Sequence, residues 1–174
     1  MPEPDLWRPD SREDCGAASP LAPDLKAMSR WLFLLIWLFL AGQGHTLTPA
    51  PLSPAGNPIE TVRLGKNLLR VEVVSSPEKL YLGLGGRSHL PWGTGMLFLL
   101  PERQVQSFCM RGMLIPIDIV WIDQNRVIGF HKNRQPQDQG TFTSPGPANL
   151  VLEVPAGFVA ATGLRRGDRL VRQP

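Results

Sequence analysis

The sequence predicts a mainly β fold with two short helices (α+β), arranged as a compact antiparallel barrel-like or sandwich domain. Three observations predict it. Proline and glycine are abundant, 18 and 17 of 174 residues, which interrupts long helices and supplies turns. Apolar and polar residues alternate over short runs, the period of a half-buried strand. Seven or eight such runs follow one another, and a flat sheet of that many strands would leave long exposed edges unless it curled.

The elements follow in order from Ile59. E-T-V-R-L-G, Glu60 to Gly65, pairs across a tight turn containing Lys66 and Asn67 with L-L-R-V-E-V-V from Leu68. In that second strand Leu69, Val71 and Val73 share one side, and Arg70 and Glu72 the other. Ser76-Pro77-Glu78 opens a short helix, with serine as cap and proline in the first turn, and Gly85 and Gly86 stop it after about Leu84. The turn-rich R-S-H-L-P-W-G-T-G then delivers the chain into M-L-F-L-L, Met96 to Leu100, a strand buried on both faces. Strands follow at Val105 to Met110, Pro116 to Ile122, Arg126 to His131 and Asn149 to Val154, with Asp123 to Asn125 as a hairpin turn between the second and third of these. A second short helix, Ala156 to Leu164, leads through R-R-G-D into a last strand at Arg169 to Arg172.

The start of the chain reads differently. Trp31 to Ala41 is eleven apolar residues in a row, preceded by Lys26 and Arg30 and followed by G-Q-G, the pattern of a secretory signal. As a helix it rises about 16 Å at ~1.5 Å per residue, short of a hydrocarbon core of roughly 30 Å. Upstream, six acids against three bases give the wrong charge for the region before a signal core, so Met28 is the expected start. The expected organisation is a disordered or mis-assigned extension at 1–27, a signal peptide or N-terminal anchor at 28–44, a Pro-rich linker at 45–58 and one domain at 59–174. The protein is expected to be exported, periplasmic or extracellular, touching membrane only through its N-terminal segment. A formal charge of +3, with no block of five or six basic residues, argues against a nucleic-acid partner.

Candidate chemistry is sparse. Gly83 to Arg87, G-L-G-G-R, lacks the later glycine of a dinucleotide fingerprint and reads as helix termination. The three histidines are far apart, none at metal-ligand spacing, so neither a metal nor a cofactor is expected. Cys109 is a possible reactive thiol: on a continuing strand it shares a face with Arg111, whose guanidinium would favour a thiolate. Its neighbours Phe108 and Met110 favour the alternative, a small buried hydrophobe. Cys15, the other cysteine, precedes the signal, so the processed chain is expected to hold no internal disulfide. Asp118 and Glu153 each stand alone in an apolar strand, and burying an unpaired carboxylate is costly. One solution is a polar cluster of Arg87, Arg111, Asp118 and Glu153 forming the floor of a ligand site. The other is that the acids face solvent or pin loop backbone through hydrogen bonds.

In order, G-L-G-G-R, G-M-L-F, F-C-M-R-G-M-L-I-P-I-D, V-L-E-V-P-A-G and a G-D before the last strand resemble the bacterial and archaeal family called domain of unknown function 192, over roughly Ile59 to Val171. The family's middle motif commonly reads F-W-M-K-N-T-x-I-P-L-D and singles out Phe108, Met110, Arg111, Ile115, Pro116 and Asp118. Here Cys109 replaces tryptophan, Gly112 asparagine and Met113 threonine, removing an aromatic platform and two hydrogen-bonding side chains. The resemblance implies a small β-rich domain, often exported, with no established activity. The functional expectation is an exported, non-catalytic binding module of the cell envelope, holding a small polar ligand or an envelope protein near Arg87, Arg111 and Asp118. The alternative is a small hydrolase or acyl-transfer enzyme using Cys109, or Asp118 and Glu153 as an acid and base pair.

Overall fold

The computed structural model describes residues 51–173. Along the chain run β1 (Ile59–Leu64), β2 (Asn67–Val74), α1 (Pro77–Leu82), β3 (Thr94–Phe108), β4 (Ile117–Asp123), β5 (Arg126–Arg134), β6 (Phe142–Pro155), α2 (Phe158–Thr162) and β7 (Leu170–Arg172). They form one sheet in the order β5-β4-β6-β3-β2-β1-β7. Each pairing is antiparallel except that of β2 with β3, which run parallel and are joined by the crossover that carries α1.

The sheet curls until its ends meet. Val127 N donates to Asp168 O at 2.9 Å, Gly167 N to Val127 O at 2.8 Å and Leu170 N to Asn125 O at 2.9 Å, so the start of β5 is stitched to the chain entering β7. Of the two expected architectures, the barrel-like one is adopted. Closure removes edges that would otherwise present unpaired amides.

Strict alternation divides the side chains between two cores. Inside the curl lie Leu69, Val71, Leu97, Val120, Leu152 and Val154, with Phe158 and Val159 of α2. Outside, Met96, Phe98, Ile119, Trp121 and Val151 pack beneath Leu84 and Met113, contributed by the segments after α1 and β3. Each of β3, β4 and β6 is therefore buried on both faces, which is why their sequences read as nearly unbroken apolar runs.

Three expectations change. The strands expected at Met96 to Leu100 and Val105 to Met110 are one long β3, bent by register shifts between Leu99 and Gln104 and between Val105 and Ser107. Strand β6 begins at Phe142, well before Asn149, because Pro145 and Pro147 sit where pairing with β3 is irregular and a missing amide costs little. Pro145 also lies on Gly129, where an added Cβ would stand 2.7 Å from the proline Cγ. The described end of the expected linker is not extended. Leu52 bridges Pro58, Ser53 N donates to Asn57 O at 2.8 Å, and the Ser53 and Asn57 side chains are buried. The expected extension at 1–27, the signal or anchor at 28–44, residues 45–50 of the linker and Cys15 lie outside the described residues. Among those described, no helix is long and apolar enough to cross a membrane.

Candidate ligand-binding site

Register decides which acid faces which side. Across β4 and β6, Asp118 stands opposite Val154 and Ile119 opposite Glu153. Residues paired across antiparallel strands point the same way. Val154 belongs to the inner core and Ile119 to the outer one, so Asp118 points into the curl and Glu153 out of it. The acid and base pair expected from Asp118 and Glu153 does not exist, because the sheet separates the two carboxyls.

Asp118 is fully buried and satisfied by backbone. Its Oδ1 accepts from Asn133 N at 2.7 Å and Gly157 N at 3.1 Å, and its Oδ2 from Val159 N at 2.8 Å. The carboxylate thus ties the end of β5 and the first turn of α2 to the sheet, the backbone-pinning alternative. No guanidinium is needed, since three amide donors stabilise a buried carboxylate.

Arg87 serves a different acid. Its Nη1 is paired with Glu72 Oε1, and its Nη2 donates to Glu72 Oε2 at 2.7 Å. Ser53 Oγ at 2.9 Å and Asn57 Nδ2 at 2.7 Å donate to the same Oε2. Burial pushes the Glu72 carboxyl up, but the Arg87, Asn57 and Ser53 donors together outweigh it and hold it down at about 2. The expected four-residue cluster of Arg87, Arg111, Asp118 and Glu153 therefore does not form.

Glu153 is the acid that remains. It is 4% exposed, and its Oε2 is buried with no hydrogen-bond partner among the described residues. Burial alone pushes its carboxyl up to about 8, so the acid is protonated at neutral pH. It forms part of the wall of a pocket between the end of α1, the outer face of β3 and the segment after β3. Phe98 and Phe108 stand edge to face in that wall with centroids 5.1 Å apart. Arg111 lies over the Tyr81 ring at 4.0 Å, and both residues line the pocket, as do Gln106 and Cys109.

Two of the anticipated site residues, Arg111 and Glu153, thus share one pocket with Cys109, while Arg87 and Asp118 hold the scaffold. Among the described residues, no histidine lines the pocket. His131 is wedged between Trp121 and Phe142, with Nε2 3.0 Å from Thr143 O. Among the described residues, no group of three or more His, Cys, Asp or Glu gathers to hold a metal.

Sequence reasoning missed Phe98, Gln106 and the end of α1 as pocket walls, while the family motif singles out Phe108. The signal was present at Gly83. Its φ of 53° and ψ of −133° suit glycine alone, and a Cβ there would meet Phe98 Cζ at 3.4 Å and Glu153 Oε2 at 3.9 Å. The glycine that ends the helix also lets the helix close over the acid.

Comparison with known proteins agrees with this architecture. A crystal structure of a protein of unknown function from Novosphingobium aromaticivorans DSM 12444 is similar at a TM-score of 0.67 and 28% identity, over 75% of this chain and 99% of that one. A second, from Sinorhizobium meliloti 1021 and described with a proposed role as a transcription regulator, is similar at a TM-score of 0.64 and 30% identity, over 67% of this chain and 95% of that one. A search of curated proteins finds no match. The family model for domain of unknown function 192, described as an uncharacterized ACR, matches residues 60–172, and the chain belongs to that family.

Proposed function

We propose that this protein is an exported, non-catalytic binding module of the cell envelope that holds a small ligand in the pocket between α1 and β3. One observation carries the reading. A buried, uncharged Glu153 faces a pocket of mixed apolar and polar lining with no protein partner for its Oε2 among the described residues, and such a group costs stability unless something hydrogen-bonds to it. Pockets with mostly apolar walls and a few convergent polar groups are the usual form of a small-molecule site. The enzyme alternative gains nothing from the geometry, since Asp118 faces the other side of the sheet and Cys109, expected as a possible reactive thiol, is disulfide-bonded and offers no thiolate. Regulation of transcription, the role proposed for the Sinorhizobium meliloti relative, draws no support from a formal charge of only +3 and a sequence with no block of five or six bases. Export rests on the apolar run Trp31 to Ala41 and its flanks.

Two measurements test the reading. In a thermal-shift screen of envelope sugars, peptides and small organic compounds, at least one is expected to raise the melting temperature of the protein and to lose that effect in Glu153→Leu. Saturation at a hundredfold excess over Kd is worth about 2.7 kcal/mol, readily seen. A screen with no compound separating the two proteins would remove the pocket's role. For export, a full-length chain tagged at its C-terminus and expressed in a bacterium should leave the cytoplasm. Retention there would overturn the envelope assignment.

A further inference from the structure

The class of ligand follows from what the pocket can satisfy, an argument that rests on the binding reading above. Among the described residues that line it, Glu153 is the sole acid and Arg111 the sole base. The ionisable side chains sharing the wall with Glu153 are Tyr81 from α1 and Arg111, beside Cys109, from the segment after β3; its sheet neighbours Met96 and Ile119 carry none. The Gly83 turn stands over the acid and adds no charge.

Three kinds of ligand polar group are conceivable opposite such a carboxyl. A cation would require Glu153 to give up a proton held to about 8. It would also have to shed its own hydration beside Phe98 and Phe108, a loss that ion pairing only partly returns. A group with no polar atom would leave the carboxyl unsatisfied, as it is now. An uncharged group carrying a donor beside an acceptor matches a protonated carboxyl atom for atom. The acid O–H donates to the ligand's carbonyl oxygen, and the acid's carbonyl oxygen accepts the ligand's N–H, with no charge buried and no proton exchanged with water. A flat ligand body suits walls in which Phe98 and Phe108 stand edge to face.

We infer that the pocket binds a small, uncharged, planar amide or lactam, whose N–H and C=O pair with the Glu153 carboxyl while its apolar body rests against Phe98 and Phe108. The neutral form of the acid is required, so binding belongs to the pH range below the Glu153 titration.

The test is a titration of the full-length, isotopically labelled protein by NMR with four probes of one size: benzamide, benzylammonium, benzoate and ethylbenzene. Benzamide is expected to shift the signals of Phe98, Phe108 and Gly83 and to bind at least tenfold more tightly than the other three. Its affinity should fall at least tenfold between pH 6.5 and pH 9.5. Glu153→Gln, which keeps a donor beside an acceptor, should bind benzamide with no such fall, which also guards against a Glu153→Leu protein that does not fold. Benzylammonium or benzoate binding best at these residues would overturn the amide assignment and leave the pocket standing as a site. Shifts from none of the four at these residues would overturn both the assignment and the pocket.

Discussion

At the scale of single residues, two buried acids on adjacent strands show how little a side chain's type says about its role. Asp118 faces inward and is met by three backbone amides; Glu153 faces outward, and its Oε2 is met by no donor among the described residues. Replacing Asp118 by Ala strands those amides, each worth about 1 to 3 kcal/mol when buried and unpaired. We expect a loss of roughly 3 kcal/mol or more by urea denaturation, with the ends of β5 and α2 first to lose amide protection. Equal protection in both proteins would show that the carboxylate is dispensable. Glu153 makes the opposite prediction. Its carboxyl titrates at about 8 folded and near 4.5 when exposed, so between those values the folded state holds the extra proton. Stability is then fully present below pH 4.5, falls as pH rises toward 8 and levels above, with a slope of at most about 1.4 kcal/mol per pH unit. The difference in melting temperature between Glu153→Gln and the parent protein should therefore grow in favour of the variant from pH 5 to pH 8.5. A difference independent of pH would mean that the acid is not buried in its neutral form.

At the scale of elements, the cluster around Glu72 anchors the chain before β1 to the middle of β2 and to the loop after α1. Sequence alternation assigned Glu72 to the polar side of its strand, which is correct in direction, but not the three donors that converge there from Ser53, Asn57 and Arg87. Those contacts join positions far apart in the chain, and local periodicity carries no information about them. Because the Glu72 carboxyl is held down at about 2, its contribution is present above pH 4.5 and is lost as pH falls toward 2. Glu72→Gln should melt below the parent protein at pH 7, with the gap closing between pH 4.5 and 2.5; a gap that persists unchanged into acid would show that charge plays no part. The end of α1 offers a second test. Gly83→Ala forces a Cβ onto a backbone conformation reserved for glycine, at a cost of about 1 to 3 kcal/mol. It also sets the new methyl against Phe98 and near Glu153. Stability and pocket access should fall together in this variant, whereas Gly86→Ala, also at a positive φ (74°) but with open space around its Cβ, should lose stability alone.

At the scale of the whole molecule, the parts readable from sequence are those set by neighbours a few residues away. Ser76 and Pro77 marked the start of α1, which ends at Gly83, short of the expected Leu84, and short apolar runs between turns marked β1, β2, β4 and β5 within a few residues. What was not readable depends on register and crossover. The four-residue cluster failed because the parity of Asp118 against Glu153 is set by how β4 slides along β6, and a slip of one residue reverses it. The pocket was invisible because it exists only once the parallel crossover lays α1 over β3. Closure of the sheet belongs to the same class. Its last stitch comes from the chain end, where Leu170 is 2% exposed in the inner core and its amide reaches Asn125 O across the seam. Deleting residues 169–174 removes a buried leucine, by itself worth about 2 to 5 kcal/mol. It also unpairs β1 on one side of the seam and β5 on the other, leaving two open edges on a sheet that had none facing each other. We expect the truncated protein to elute from a sizing column as a larger species than the parent, while Leu170→Ala, which keeps the backbone stitch, is destabilised and elutes with the parent. A truncated chain that elutes with the parent and keeps the parent melting temperature would show that the curl is held by its cores alone and that the seam adds nothing.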